Sequence, residues 1–246
     1  MPIYVPGKVV LSQTSYPDIR NGIVTNGLVL NLDAGQTASY PGTGTTWTDL
    51  SGNGNNGTLV NGPTYSSANG GSLAFNGTTQ WTNIPTVVTP IPSNGSFTVS
   101  MWFNFNNYLD NAFASLFDAG NLGGNPSGFC LAKNNTNNVY VAVNTGFKAF
   151  FTIFSNNIWY NIVATAAFGA PYDLNLYING QLAPVASSAT TSTLTASGAN
   201  YGICRRSSSA ADYRAGSVGA VYLYNRALTA AEVQQNFNCL RMRYGI

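Results

Sequence analysis

The chain has 246 residues, a net charge of +2, and only 7% Asp, Glu, Lys and Arg, against roughly 25% in an average soluble protein. Apolar residues make up 44%, including 14 Tyr, 13 Phe and 4 Trp, so the chain can fill a large core and lacks the low hydropathy and high net charge of a disordered one. There is no basic run for nucleic acid, no window near the ~18 apolar residues of a membrane span, and no histidine for acid–base catalysis or zinc binding.

Residues 1–26 read as an extended arm. Ile3, Val5, Val9, Val10 and Leu11 are apolar, but Pro2, Pro6 and Pro17 interrupt them, and proline confines a strand to an edge. Such an arm must lie on its own domain or on a partner to bury those side chains. The segment Met1–Pro6 lacks the basic and apolar regions of a signal peptide, so synthesis in the cytoplasm without secretory targeting is expected.

The globular body, residues 27–246, opens with a strand over 28–33. Residues 34–72 are dense in Gly, Asn, Thr and Pro and read as loop-rich, most strongly from Asp49 to Thr58, because Gly and Asn accept positive φ cheaply. The Asn-Gly pairs at 56–57 and 76–77 are read first as turns. In Phe97–Phe105 the apolar Phe97, Val99, Met101, Phe103 and Phe105 alternate with Thr98, Ser100, Trp102 and Asn104. That is the period of a strand with one buried face, and Trp102 on the second face predicts that this face is partly covered too. Similar runs recur at 73–75, 113–117, 128–132, 138–143, 147–154, 158–166, 173–178, 200–204 and 217–224, with an Asn179-Gly180 hairpin turn. The spacing predicts one helix from Leu228 to Phe237. Thr229 is its N-cap and Glu232, the only glutamate, completes a capping box.

Cys130, Cys204 and Cys239 make an odd set with no CxxC spacing. They read as free thiols, with a Cys130–Cys204 bridge as the open alternative. Arg205–Arg206 and Arg241 with Arg243 are short basic pairs, read as exposed charges or local salt bridges.

Five segments in order resemble the laminin-G-like branch of the concanavalin A-like lectin/glucanase superfamily. They are Asp49–Thr58, Val99–Phe103, Trp159–Thr165, Leu176–Gly180 and Tyr222–Thr229. The resemblance spans about residues 27–240 and implies an all-β fold: a two-sheet antiparallel jelly-roll sandwich with one short C-terminal helix. The ending from Tyr224 to Ile246 resembles chains of phage structural proteins. One departure stands out: where the family's closing strand often carries two acids, this chain has Gly219 and Ala220.

The chemistry expected from these residues is binding. The seven Asp and one Glu never come closer than eight residues in sequence, whereas glycoside hydrolysis needs two facing carboxyl groups and retaining relatives carry closely spaced acids on one strand. Trp81, Tyr108 and Tyr172 fall in or near predicted loops and are the candidate glycan-stacking rings, set against ordinary core packing. Asp49 and Asp118 are candidate calcium ligands, set against Asx-type turn capping; no other cofactor is expected. The leading expectation is a non-catalytic virion structural protein, a capsid decoration or a tail or fibre component at the virion surface. It would bind capsid or tail proteins, form a homo-oligomer such as a trimer through its arm, and touch cell-surface glycans. The alternative is a carbohydrate-binding adhesin or lectin module, and a glycoside hydrolase is the third reading.

Overall fold

The computed structural model describes residues 22–85, 91–92, 94–108, 113–120, 128–133, 138–144, 146–169, 172–189, 200–207 and 212–246; most of the arm lies outside them. Within them the strands run in chain order β1 (Leu28–Asp33), β2 (Thr46–Trp47), β3 (Gly57–Val60), β4 (Thr64–Ser66), β5 (Ser72–Asn76), β6 (Trp81–Ile84), β7 (Phe97–Asn104) and β8 (Ala114–Ala119). They continue as β9 (Phe129–Lys133), β10 (Asn138–Val143), β11 (Gly146–Phe151), β12 (Trp159–Ala167), β13 (Asp173–Ile178), β14 (Gln181–Leu182), β15 (Val185–Ala189), β16 (Tyr201–Ile203) and β17 (Ala215–Tyr224). One α-helix, α1 (Ala230–Leu240), follows.

Two antiparallel sheets form the sandwich. The eight-stranded sheet runs β14-β13-β12-β7-β17-β5-β4, with β1 also paired to β17. The nine-stranded sheet runs β15-β11-β10-β9-β8-β16-β6-β3-β2. The main core lies between them, where Phe97, Val99, Met101 and Phe103 of β7 meet Phe117, Phe129 and Leu131 across the gap. Phe97 stacks on Phe129 with ring centroids 3.9 Å apart. The alternation read in β7 therefore aims its apolar set at the other sheet.

A second apolar cluster covers the outer face of the eight-stranded sheet. Trp102, Val163, Tyr177, Tyr222 and Tyr224 point away from the main core and meet Val233, Phe237 and Tyr244 of α1 and the tail. Trp102 stacks on Tyr244 at 4.2 Å. Gly219 makes room for this packing, since a Cβ there would stand 2.2 Å from the Tyr244 hydroxyl oxygen. The missing acid at Gly219 is thus the condition for docking the tail.

The helix forms where its sequence places it. The Thr229 side chain accepts from the Glu232 amide, and a Glu232 carboxylate oxygen accepts from the Thr229 amide at 2.9 Å, which closes the capping box. Arg226 clamps the same carboxylate at 2.6 and 2.9 Å and holds its pKa down to about 2. Arg243 then ties the tail to β1 through Asp33 at 2.7 Å. The last arm residues also dock here: the Val24 amide donates to Asn236 Oδ1 at 2.8 Å, and the Tyr224 hydroxyl donates to the Val24 carbonyl.

The loop-rich segment 34–72 contains β2, β3 and β4, which the sequence does not show as strands. They have two to four residues each, and pairing with neighbouring strands rather than local propensity defines them. Asn179 and Gly180 both take positive φ, at 51° and 78°, as a type I′ hairpin turn requires. All three cysteines are free thiols, so the alternative of a Cys130–Cys204 bridge is corrected. No helix among the described residues is long and apolar enough to cross a membrane.

Candidate functional site

The outer face of the nine-stranded sheet is built differently. Strand pairing places Thr46, Thr58, Asn83, Gly202, Asp118, Cys130, Ala142 and Phe147 in one row across eight strands. The alternate residues on the central strands, Ile203, Phe117, Leu131 and Val141, belong to the main core. The row therefore faces outward, because successive side chains of a strand point to opposite faces. Beyond it Tyr140 packs on Phe147 at 5.1 Å, both rings half-buried. On the other flank Trp81 shares the outward side with Asn83.

A short loop crosses the middle of this face. A Cβ on Gly202 would stand 2.6 Å from the Arg205 carbonyl oxygen, so the Arg205–Ser207 segment lies directly on β16. There the Ser207 amide donates to Asp118 Oδ1 at 2.9 Å, with the Ser207 hydroxyl against the same oxygen. Asp118 is fully buried. Burial pushes its pKa up to about 6, the Asp212 charge adds to the rise, and Ser207 and Arg206 oppose it. Arg206 pairs with Asp212 at 2.7 Å. Arg205 lies 4.1 Å above the Trp81 ring and 5.4 Å from that of Tyr213. The Arg205–Arg206 pair read from sequence is thus engaged locally.

The structure brings together two of the residues picked from sequence and separates the rest. Trp81 and Asp118 share this face, two strands apart, which is about 10 Å. The expected loop exposure of Trp81 is corrected: it starts β6 and is buried beneath Arg205. Tyr108 is likewise buried rather than exposed. Its ring packs on Phe105 and Phe154, Lys133 lies over it at 5.2 Å, and its hydroxyl reaches Thr152. Tyr172 is buried too, its hydroxyl donating to the Gly95 carbonyl at 3.3 Å. These two rings belong to the main core.

Asp49 belongs to a different place. Its Oδ1 accepts from the Asn31 and Ser51 amides at 2.8 and 2.9 Å, and its Oδ2 from the Ser51 hydroxyl and the Asn55 amide at 2.7 and 3.0 Å. It organises the Gly/Asn loop, which is the turn-capping reading. Asp49 and Asp118 lie in different parts of the fold, Asp49 in the Gly/Asn loop and Asp118 under Ser207. The described residues hold no group of three or more Cys, Asp or Glu arranged for a metal ion.

Sequence reasoning missed Tyr140, Phe147, Arg206 and Ser207 as members of one site. Alternation in Asn138–Val143 marks Tyr140 as outward, since Val139, Val141 and Val143 are core. Nothing in the sequence marks Ser207, which reaches Asp118 across 89 residues.

Residues 75–234 match the family model described as the concanavalin A-like lectin/glucanases superfamily, laminin-G type. No curated protein matches the chain. Among solved structures, a sialidase of Trypanosoma rangeli bound to a difluorinated nononic acid is similar at TM-score 0.64 and 19% identity, over 89% of this chain and 34% of that one. Domain 4 of an extracellular GH43 arabinanase from Geobacillus stearothermophilus, in complex with arabinotriose, is similar at TM-score 0.62 and 17% identity, over 85% and 97%. The receptor-binding domain of botulinum neurotoxin C/D mosaic serotype follows at 0.61 and 13%, over 87% and 51%. The chain thus spans about a third of the sialidase chains it matches.

These matches correct the leading expectation. The fold is shared with glycoside hydrolases and a toxin receptor-binding domain, so the assignment to a virion structural protein at a virion surface falls. The exclusion of enzymatic activity falls with it. That exclusion weighed acids by sequence spacing, whereas a sandwich assembles neighbours from distant strands, as Asp118 and Ser207 illustrate.

Proposed function

Because the chain belongs to the concanavalin A-like lectin/glucanases superfamily, we propose that it binds carbohydrate on the outer face of its nine-stranded sheet. The observation that carries this reading is the half-buried Tyr140–Phe147 ring pair on the same face as the Asp118–Ser207 centre, two to three strands away. Sugar rings stack their C–H faces on aromatic rings, and their hydroxyls need a few fixed donors and acceptors. This face offers both within two or three strand spacings, a span of about 10–15 Å that suits an oligosaccharide. The arabinanase domain bound to arabinotriose supports the reading, since the present chain covers 97% of that domain.

A glycan array followed by isothermal titration tests the proposal. Tyr140→Ala and Phe147→Ala should each weaken binding about fivefold, the loss of a stacking contact worth roughly 1 kcal/mol, while the far-ultraviolet circular dichroism stays unchanged. An empty array, with and without calcium, would sink the reading.

One observation favours a second reading, glycoside hydrolysis. Asp118 holds its proton up to about pH 6 and has a second carboxylate, Asp212, close enough to raise its pKa. A general acid needs that property. Turnover of aryl glycosides that survives Asp118→Asn would remove Asp118 from the role.

A further inference from the structure

Two buried polar atoms at the centre of this face lack hydrogen-bond partners: Asp118 Oδ2 and Arg206 Nε. Neither group can turn to satisfy them. Asp118 is held at its other oxygen by Ser207, and Arg206 is held at Nη2 by Asp212. One is an acceptor and the other a donor. Buried polar groups are paired in folded proteins with few exceptions, and each exception calls for an explanation.

From this, and resting on the carbohydrate-binding reading, we infer that the face selects a neutral saccharide, one of whose hydroxyls is recognised by Asp118 and Arg206 together. A hydroxyl donates to a carboxylate and accepts from a guanidinium N–H at once. A sugar carboxylate can only accept. It would place a second negative charge beside Asp118 with no uncommitted cation among the described residues to meet it, because Arg206 is neutralised by Asp212 and Arg205 lies over Trp81 and Tyr213. The pair therefore rejects acidic sugars and admits neutral ones. Asp118 lies beneath the Arg205–Ser207 segment, to which Arg206 itself belongs, so this loop yields as the hydroxyl enters.

The test uses the full chain and sorts array glycans into neutral and carboxylated sets, with arabinotriose, lactose and 3′-sialyllactose titrated individually. Hits should fall in the neutral set, with at least tenfold preference over carboxylated counterparts. Asp118→Asn should weaken the neutral ligand about tenfold and narrow that preference. Ser207→Ala, which removes the hydroxyl contact to the carboxylate but keeps the backbone N–H one, should weaken it several-fold and serves where the first variant melts too low. Preference for carboxylated glycans would overturn the inference and leave the carbohydrate reading standing. The same holds if neutral binding is untouched by Asp118→Asn and Ser207→Ala but lost in Tyr140→Ala, because the two atoms would then hold only a water. No hit in either set would fell the carbohydrate reading, and this inference with it.

Discussion

The outer faces of the two sheets begin from the same strand geometry and end differently. On the eight-stranded sheet Trp102 and Tyr222 are sealed under α1 and the tail, and β7 is buried at seven consecutive positions. On the nine-stranded sheet β10 alternates strictly between buried and half-buried residues, and Thr46 and Thr58 are exposed. One face has become a second core. The other leaves the Tyr140 and Phe147 rings only half-buried. A covering element makes the difference, and it is only 11 residues of helix followed by a short 3-10 turn.

The comparison can be broken most forcefully on the sealed side. Trp102→Ala should cost about 3–5 kcal/mol, the usual price of deleting a buried tryptophan, read as a shift in urea midpoint. Gly219→Asp should approach that loss, since its Cβ alone would stand 2.2 Å from the Tyr244 hydroxyl oxygen. Neither change should alter glycan affinity in protein that remains folded. A large affinity loss would mean that the two faces are coupled.

The open side should reveal itself through pH. The folded pKa of Asp118, about 6, lies above its ordinary value of 3.8, so the native state holds the proton more tightly than the unfolded one. Its contribution is complete below pH 4 and is lost as pH rises through 6, a loss of about 3 kcal/mol. Stability measured from pH 4 to 7 should fall by that order, and Asp118→Asn should flatten the slope. A flat wild-type profile would show that the carboxyl is not desolvated.

Gly202→Ala sharpens the contrast further. The added methyl meets the Arg205 carbonyl, so the loop must lift at a cost of about 1–3 kcal/mol, and Ser207 should release Asp118. Hydrogen exchange at the Ser207 amide should accelerate selectively. The smallest effect belongs to the cap of the covering helix. Glu232→Gln should cost about 1 kcal/mol. The wild-type advantage should persist above pH 4.5 and vanish as pH falls towards 2, because the folded pKa is depressed to about 2.

Much of this could be read in the residues. The alternation in β7 gave its inward face, Trp102 announced a second covered face, and Thr229 with Glu232 marked the helix start. The site was less visible. Trp81 and Asp118 were picked out for different reasons, with no sign that they share a face. Tyr108 and Tyr172 look in sequence like any loop aromatic, because periodicity is lost at strand ends where chain direction decides burial.

Local sequence by itself determined the strand and helix propensities, the inward faces of the long strands and the capping box. These depend on neighbours within about four residues, through side-chain alternation and backbone hydrogen bonding. Tertiary structure alone decided which outer face would be sealed, where β2, β3 and β4 would pair, and that Ser207 and Arg206 would meet Asp118. Those contacts join residues tens of positions apart, and only the stacking and register of two sheets bring them within hydrogen-bonding distance.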